Sequence, residues 1–258
     1  MTTSLITGAT SGIGAAFARR LAAAGHRLVL VARDEERLRR TAAELGARYN
    51  TAAEVLPADL AEDDGIAAVE ARLRDPGARV QVLVNNAGFG HRGRFLETSV
   101  TDESRMLKVH CEAVLRLTSA AVPAMRERRH GFVINVASTA AFMPRGTYGA
   151  SKAWVVSFTE GIARELDGSG VRFLALCPGL VRTEFHERAG MDPGKAPSWA
   201  WLNPNKVVAT ALRDLSRGRT VSIPDPRYKL AVALARHTPP ALFAAASQRT
   251  TRRYDPKL

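Results

Sequence analysis

TGATSGIG, Thr7 to Gly14, follows a short apolar run, Ser4 to Thr7, and opens a segment, Ala15 to Ala24, whose apolar residues recur three and four apart. A strand running through a glycine turn into a helix is the reading that settles the fold. Gly8 permits the tight turn, Gly12 lets a phosphate group approach main-chain N–H groups, and Gly14 lets helix and strand pack closely. Thr10, Ser11 and Ile13 complete the loop and are candidate contacts to the same group. Glycine-rich turns also occur in ordinary loops, so the weight comes from the position directly after a strand.

Outward from this turn the same alternation repeats. Short β-branched or leucine-rich runs occur at Leu28 to Ala32, Ala53 to Leu56, Val82 to Asn85, Phe132 to Ala137, Phe173 to Cys177 and Thr220 to Ile223. Between most of them lie helical patterns: Glu36 to Leu45, Gly65 to Leu73, Met106 to Met125 and Trp154 to Leu166. Parallel strands need crossovers, and crossovers are right-handed, so the expected fold is α/β: one doubly wound, Rossmann-type parallel sheet of about seven strands with helices on both faces. One domain over residues 1–258 accounts for the length. Ligands are expected at the carboxyl ends of the strands.

Two regions break the rhythm. Residues 183–203 carry Gly190, Pro193, Gly194 and Pro197 and read as a flap over the crevice. Residues 225–258 form a basic extension with a broken apolar pattern. It would line a substrate pocket, pack on a partner subunit or, less favoured, lie on a membrane. Phe185, Trp199, Trp201, Leu202, Leu230 and Leu234, with Met191 and Phe243, suit an apolar pocket or, equally, core and subunit contacts.

Lysine and arginine exceed aspartate and glutamate by 12. The arginines are scattered and no groove-reading motif is present, which favours solvated basic faces over specific nucleic-acid binding. Cys111 and Cys177 are far apart in apolar segments and read as buried thiols of a reducing compartment. No basic-then-apolar leader and no apolar run of about 18 residues is found, and the expected location is cytoplasmic. No ligand-spaced cysteine pair or HExxH stands in the chain, so no metal site is expected; HERAG, from His186, has only a superficial likeness. There is no G-x-S-x-G elbow of a serine hydrolase.

The second strand ends in LVLVAR, about 20 residues past the glycines, where an acidic residue would take the ribose 2′-hydroxyl of NAD. Arg33 stands there instead. A guanidinium pairs with a 2′-phosphate, so NADP(H) is favoured over NAD(H); Asp34 offsets this in part, and the alternative is one more exposed arginine. Asp59, followed by Leu60, is placed to accept from an adenine amino group or to cap the next helix. Asn86, Ala87 and Gly88 of NNAG suit a turn abutting the cofactor.

Tyr148 and Lys152 lie four apart at the start of a helical segment, on one face. Moving a phenol from a pKa of about 10 to about 7 takes roughly 4 kcal/mol, which an ammonium about 4 Å away supplies at an effective dielectric of about 20, before desolvation. TGATSGIG, NNAG, Ser138, YGASK and CPG, in that order from Thr3 to Thr183, together resemble the short-chain dehydrogenase/reductase family. The resemblance implies that Tyr148 exchanges a proton with a carbonyl or alcohol oxygen, that Lys152 also holds the nicotinamide ribose, and that Ser138 hydrogen-bonds the substrate oxygen. It further implies cofactor contacts at Pro178, Gly179, Val181 and Thr183, a small carbonyl or alcohol substrate, and assembly as dimers or tetramers.

Two positions depart from the family pattern. Ser138 precedes Tyr148 by ten residues rather than about thirteen, with Thr139 as fallback. His110 stands where the family has an asparagine that helps hold a water next to the lysine; it takes over that role or is satisfied within the helix packing. The expected function is an NADP(H)-dependent aldehyde or ketone reductase acting on an apolar substrate. The alternative is a catalytically silent protein of the same fold that senses a nucleotide or serves as a scaffold.

Overall fold

The computed structural model describes residues 2–91, 95–185 and 197–237. Seven parallel strands form one sheet in the order β3-β2-β1-β4-β5-β6-β7: β1 Thr3–Thr7, β2 Arg27–Ala32, β3 Ala53–Pro57, β4 Val82–Asn85, β5 Gly131–Val136, β6 Val171–Leu176 and β7 Val221–Ser222. Successive side chains point to opposite faces, and both faces are covered, so the strands read as continuous apolar runs. Ile6, Leu28, Leu30, Val84, Ile134 and Leu174 face one layer with Phe17 and Leu21 of α1 (Gly12–Ala22). Leu5, Val29, Val31, Leu83 and Val133 face the other, against Ile66 and Val69 of α3 (Asp63–Arg74) and Leu117 and Met125 of α5 (Ala113–Glu127).

The remaining helices are α2 (Glu35–Tyr49), α4 (Val100–Leu107), α6 (Gly146–Glu165), α7 (Pro204–Ser216) and α8 (Pro226–His237). The sequence pattern between Met106 and Met125 suggested one helix; α4 and α5 are instead joined by a π-turn, Lys108–Glu112, which carries His110. Two helices escaped the reading. α7 starts with Asn203 accepting from the Asn205 N–H at 2.8 Å and with Pro204 in the first turn. α8 makes the first third of the basic extension regular. No helix among the described residues is long and apolar enough to cross a membrane.

The order of the sheet fixes where a ligand sits. The chain goes from β1 out to β2 and β3, then returns to place β4 on the other side of β1. The crevice at that switch point opens at Thr7 and Asn85, the last residues of β1 and β4.

Candidate active site

Gly8 and Gly12 hold positive φ angles of 64° and 54°, which the turn requires. At Gly14 a Cβ would lie 2.1 Å from the Gly8 carbonyl oxygen, so only glycine lets α1 begin this close to β1. Asn86 locks the turn to the end of β4: its side-chain amide donates to the carbonyls of Thr7 (2.9 Å) and Gly8 (3.1 Å). Thr7 Oγ1 answers by accepting from the N–H groups of Asn86 and Ala87 at 3.0 and 2.9 Å. NNAG is thus the second half of the glycine turn.

These residues fit a dinucleotide. Ser11, the residue before α1, is extended and makes no side-chain cap, and the first turn of α1 has no acidic residue. The leading N–H groups and the positive end of the helix dipole are left to an anion. Thr183 rests directly on this turn, its Cγ2 only 2.9 Å from where a Gly12 Cβ would be.

Arg33, the residue after β2, is exposed, and no ion pair to it is found among the described residues. Asp34, which the sequence offered as an offset, is drawn into capping α2: its carboxylate accepts from the Arg37 N–H at 2.9 Å. Arg37, which the sequence reading missed, makes a two-pronged ion pair with Glu184. Asp59 does not cap α3; the residue before that helix is Glu62. The Asp59 carboxylate turns instead onto the Ala61 N–H at 3.0 Å, with Arg105 3.7 Å away, and the Leu60 side chain is in the core.

Tyr148 and Lys152 occupy successive turns of α6 on one face, with Lys152 Nζ 5.8 Å from the centre of the Tyr148 ring. Lys152 is buried and donates to the Val136 carbonyl at 3.1 Å; loss of water lowers its pKa to about 8. Burial pushes the Tyr148 phenol above its ordinary value, opposed by Ser138 and then by Arg145. The sequence sets an ammonium about 4 Å away against the phenol before desolvation; in the structure burial is the larger influence on Tyr148.

The shortened interval after Ser138 is taken up by a single 3-10 turn, Thr139–Phe142, begun by Ser138 accepting from the Ala140 N–H at 3.1 Å. It keeps Ser138 within reach of the phenol. Thr139 is buried, its N–H on the Pro178 carbonyl at 2.9 Å.

His110 is fully buried in the π-turn. Its Nε2 accepts from the Phe89 N–H at 3.3 Å, and Nδ1 lies 2.9 Å from Ser151 Oγ, whose hydroxyl donates to the Tyr148 carbonyl at 2.8 Å. That pattern assigns the proton to Nδ1 of a neutral ring. Burial first, then the Lys152 charge, holds its pKa well below 6.5. Both nitrogens have protein partners, which matches the packing alternative for His110 and leaves neither lone for a water. Gly88 is squeezed beside it: a Cβ there would lie 2.9 Å from His110 Nε2 and 3.6 Å from Lys152 Nζ.

Pro178 and Gly179 follow β6, and the ring of Tyr228 on α8 covers Gly179 so closely that a Cβ would overlap it at 2.1 Å. The Tyr228 hydroxyl accepts from the Leu180 N–H (3.1 Å) and donates to the Ala200 carbonyl (2.9 Å). Val181 is buried and bridges to Leu202. Of the apolar residues proposed for a pocket, Phe185 tilts against Tyr148 with ring centres 6.1 Å apart, and Leu202 belongs to the core. Trp199, Leu230 and Leu234 are exposed. Met191, Phe243, His186, most of the flap and the last part of the extension lie outside the described residues.

Comparison with known proteins agrees with this geometry. The family model for short chain dehydrogenases matches residues 2–193. A solved short-chain dehydrogenase from Sphingobium yanoikuyae in complex with NADPH is 36% identical, with a TM-score of 0.83 over 99% of this chain and 96% of that one. The bulky-bulky ketone specific alcohol dehydrogenase from Comamonas testosteroni is 32% identical, with a TM-score of 0.80 over 92% of each chain. Sulfoacetaldehyde reductase 2 from Chromohalobacter salexigens is 38% identical over 186 residues, 70% of this chain and 73% of its own. With the glycine turn, the Asn86 clamp and the Tyr148–Lys152 helix in place, the chain belongs to the short-chain dehydrogenase family and is an NAD(P)-dependent oxidoreductase.

Proposed function

We propose that the enzyme is an NADP(H)-dependent reductase of aldehydes or ketones with an apolar substituent, running in reverse as an alcohol dehydrogenase. The observation that carries the reading is the convergence of Ser138, Tyr148 and Lys152 at the end of β5 and the start of α6, beside the clamped glycine turn. The nicotinamide, when bound, supplies or accepts the hydride. Ser138 holds the substrate oxygen, and Tyr148, kept protonated by burial, gives it a proton during reduction. Lys152, fixed on the Val136 carbonyl, sets a positive charge behind the phenol and reaches for the nicotinamide ribose.

For the cofactor, Gly8, Thr10, Ser11, Gly12, Ile13 and Gly14 would hold the pyrophosphate. Asp59 and the main chain at Leu60 would meet the adenine, and Asn86, Ala87 and Gly88 would line the nicotinamide side with Pro178, Gly179, Val181 and Thr183. Arg33 favours the 2′-phosphate, because Asp34 is committed to its helix cap. The NADPH complex of the Sphingobium relative is in keeping with this. Phe185 against Tyr148 supports an apolar substrate, as does the likeness to an alcohol dehydrogenase of bulky ketones. A homo-oligomer is the expected assembly.

The test is oxidation of NADPH over a panel of aryl, alkyl and polar carbonyl compounds with wild type and Tyr148→Phe. Turnover confined to apolar carbonyls and abolished in Tyr148→Phe is the expected result. Unaltered turnover in that variant would remove the catalytic assignment, and nucleotide binding without any turnover would leave the sensing alternative.

A further inference from the structure

We propose that Arg37 and Glu184 form a strap across the outer wall of the dinucleotide groove and set how fast the cofactor leaves. The inference rests on the dinucleotide reading above. Arg37 stands in the first turn of α2, its main-chain N–H fixed by Asp34. Glu184 stands 147 positions later, in the loop that leaves β6. Between them the chain passes over the N-terminus of α1, where Thr183 touches the Gly12 position. The glycine turn, the Thr183 loop and the ion pair therefore enclose the spot at which the uncapped N–H groups of α1 receive a phosphate.

The pair has the geometry of a closure. Guanidinium Nη1 donates to Oε2 at 3.0 Å while Nη2 donates to Oε1, the two-pronged arrangement in which arginine holds a carboxylate best. The hydrogen bond to Glu184 raises the pKa of Arg37, so the charge persists over the whole working range. Both side chains remain partly exposed, 30% and 42%, and exposed pairs are individually weak, so the strap can open on each turnover. Phe185 follows Glu184 and lies against Tyr148, so opening at the cofactor end also frees the wall of the substrate site.

Release of bound NADPH and of bound NADH, followed by stopped-flow fluorescence after a chase with unlabelled nucleotide, tests the strap. Glu184→Gln is expected to speed release of both about three- to fivefold. Raising KCl should accelerate release more from wild type than from Glu184→Gln, because salt weakens the nucleotide's phosphate contacts in both proteins and the ion pair only in the first. In the cofactor-free protein, the same variant should increase hydrogen exchange at residues 180–185. Wild-type release rates for both nucleotides in Glu184→Gln would overturn the proposal. So would an Arg37→Ala variant that speeds NADPH release alone, because that makes Arg37 a 2′-phosphate ligand. A wild-type protein that binds neither nucleotide would refute the dinucleotide reading itself.

Discussion

His110 Nδ1 lies 2.9 Å from Ser151 Oγ, and through that hydroxyl the π-turn is tied to the Tyr148 carbonyl. With Nε2 taking the Phe89 N–H, one imidazole joins the loop after β4 to the helix that bears Tyr148. The side chain thus holds two backbones together beside the proposed site.

The pKa of His110 in the folded protein lies below its unfolded value of about 6.5, so as pH falls through 6.5 the unfolded chain gains a proton that the folded one refuses. Stability present above pH 6.5 is therefore lost on acidification, at up to about 1.4 kcal/mol per pH unit. Urea unfolding between pH 7 and 5 should show this loss in wild type and a shallower one in His110→Asn. Equal slopes would mean that His110 is protonated in the native state. In His110→Ala, an activity profile identical to wild type at every pH would end any role for the ring in a proton relay.

A second expectation follows from Lys152, which titrates at about 8. Above that pH the ammonium is lost, whereas the raised phenol keeps its proton. kcat/KM for carbonyl reduction should hold below pH 8 and decline above it. Lys152→Met should lose the break and lower kcat by about 10²- to 10³-fold. A break near pH 8 that persists in Lys152→Met would assign it to another group.

Arg33→Asp should exchange one cofactor preference for the other. Loss of a charge-assisted pair and gain of a repulsion should lower kcat/KM for NADPH about 10- to 100-fold, with NADH use equal or better. The ratio of the two cofactors in steady-state assays is the measurement. An unchanged ratio would return Arg33 to the solvated surface.

Tyr228→Phe removes the partner of the half-buried Leu180 N–H and that of the Ala200 carbonyl. A stability loss of about 1–3 kcal/mol by thermal or urea unfolding is expected, together with a higher KM for the nicotinamide cofactor. A variant as stable as wild type would show that water replaces the hydroxyl without penalty.

Most of the sheet could be read in advance because its strands are buried on both sides and flanked by glycine or asparagine turns. The runs around Leu5, Val29, Leu83, Val133 and Leu174 are of this kind. α7 was missed because the Trp199 and Trp201 region before it resembled a loop, and α8 because the prolines and basic residues beyond it masked a short regular stretch. The π-turn is invisible to periodicity, since it inserts one residue into an otherwise helical pattern. Tyr148, Lys152 and the glycine turn are local in sequence and stand out as motifs. Arg37–Glu184, His110–Ser151 and Tyr228–Leu180 join residues 147, 41 and 48 positions apart, and no spacing rule connects such partners.

The Tyr228 phenol ties Leu180 to Ala200, beside the main-chain bridge between Val181 and Leu202. Exchange confined to residues 186–196 should therefore leave the proposed nicotinamide floor in place, since Val181, Thr183, Glu184 and Phe185 all precede that stretch and the tyrosine anchor comes from elsewhere in the chain. Grafting residues 186–196 between relatives, with the tyrosine retained, becomes a route to new substrate ranges.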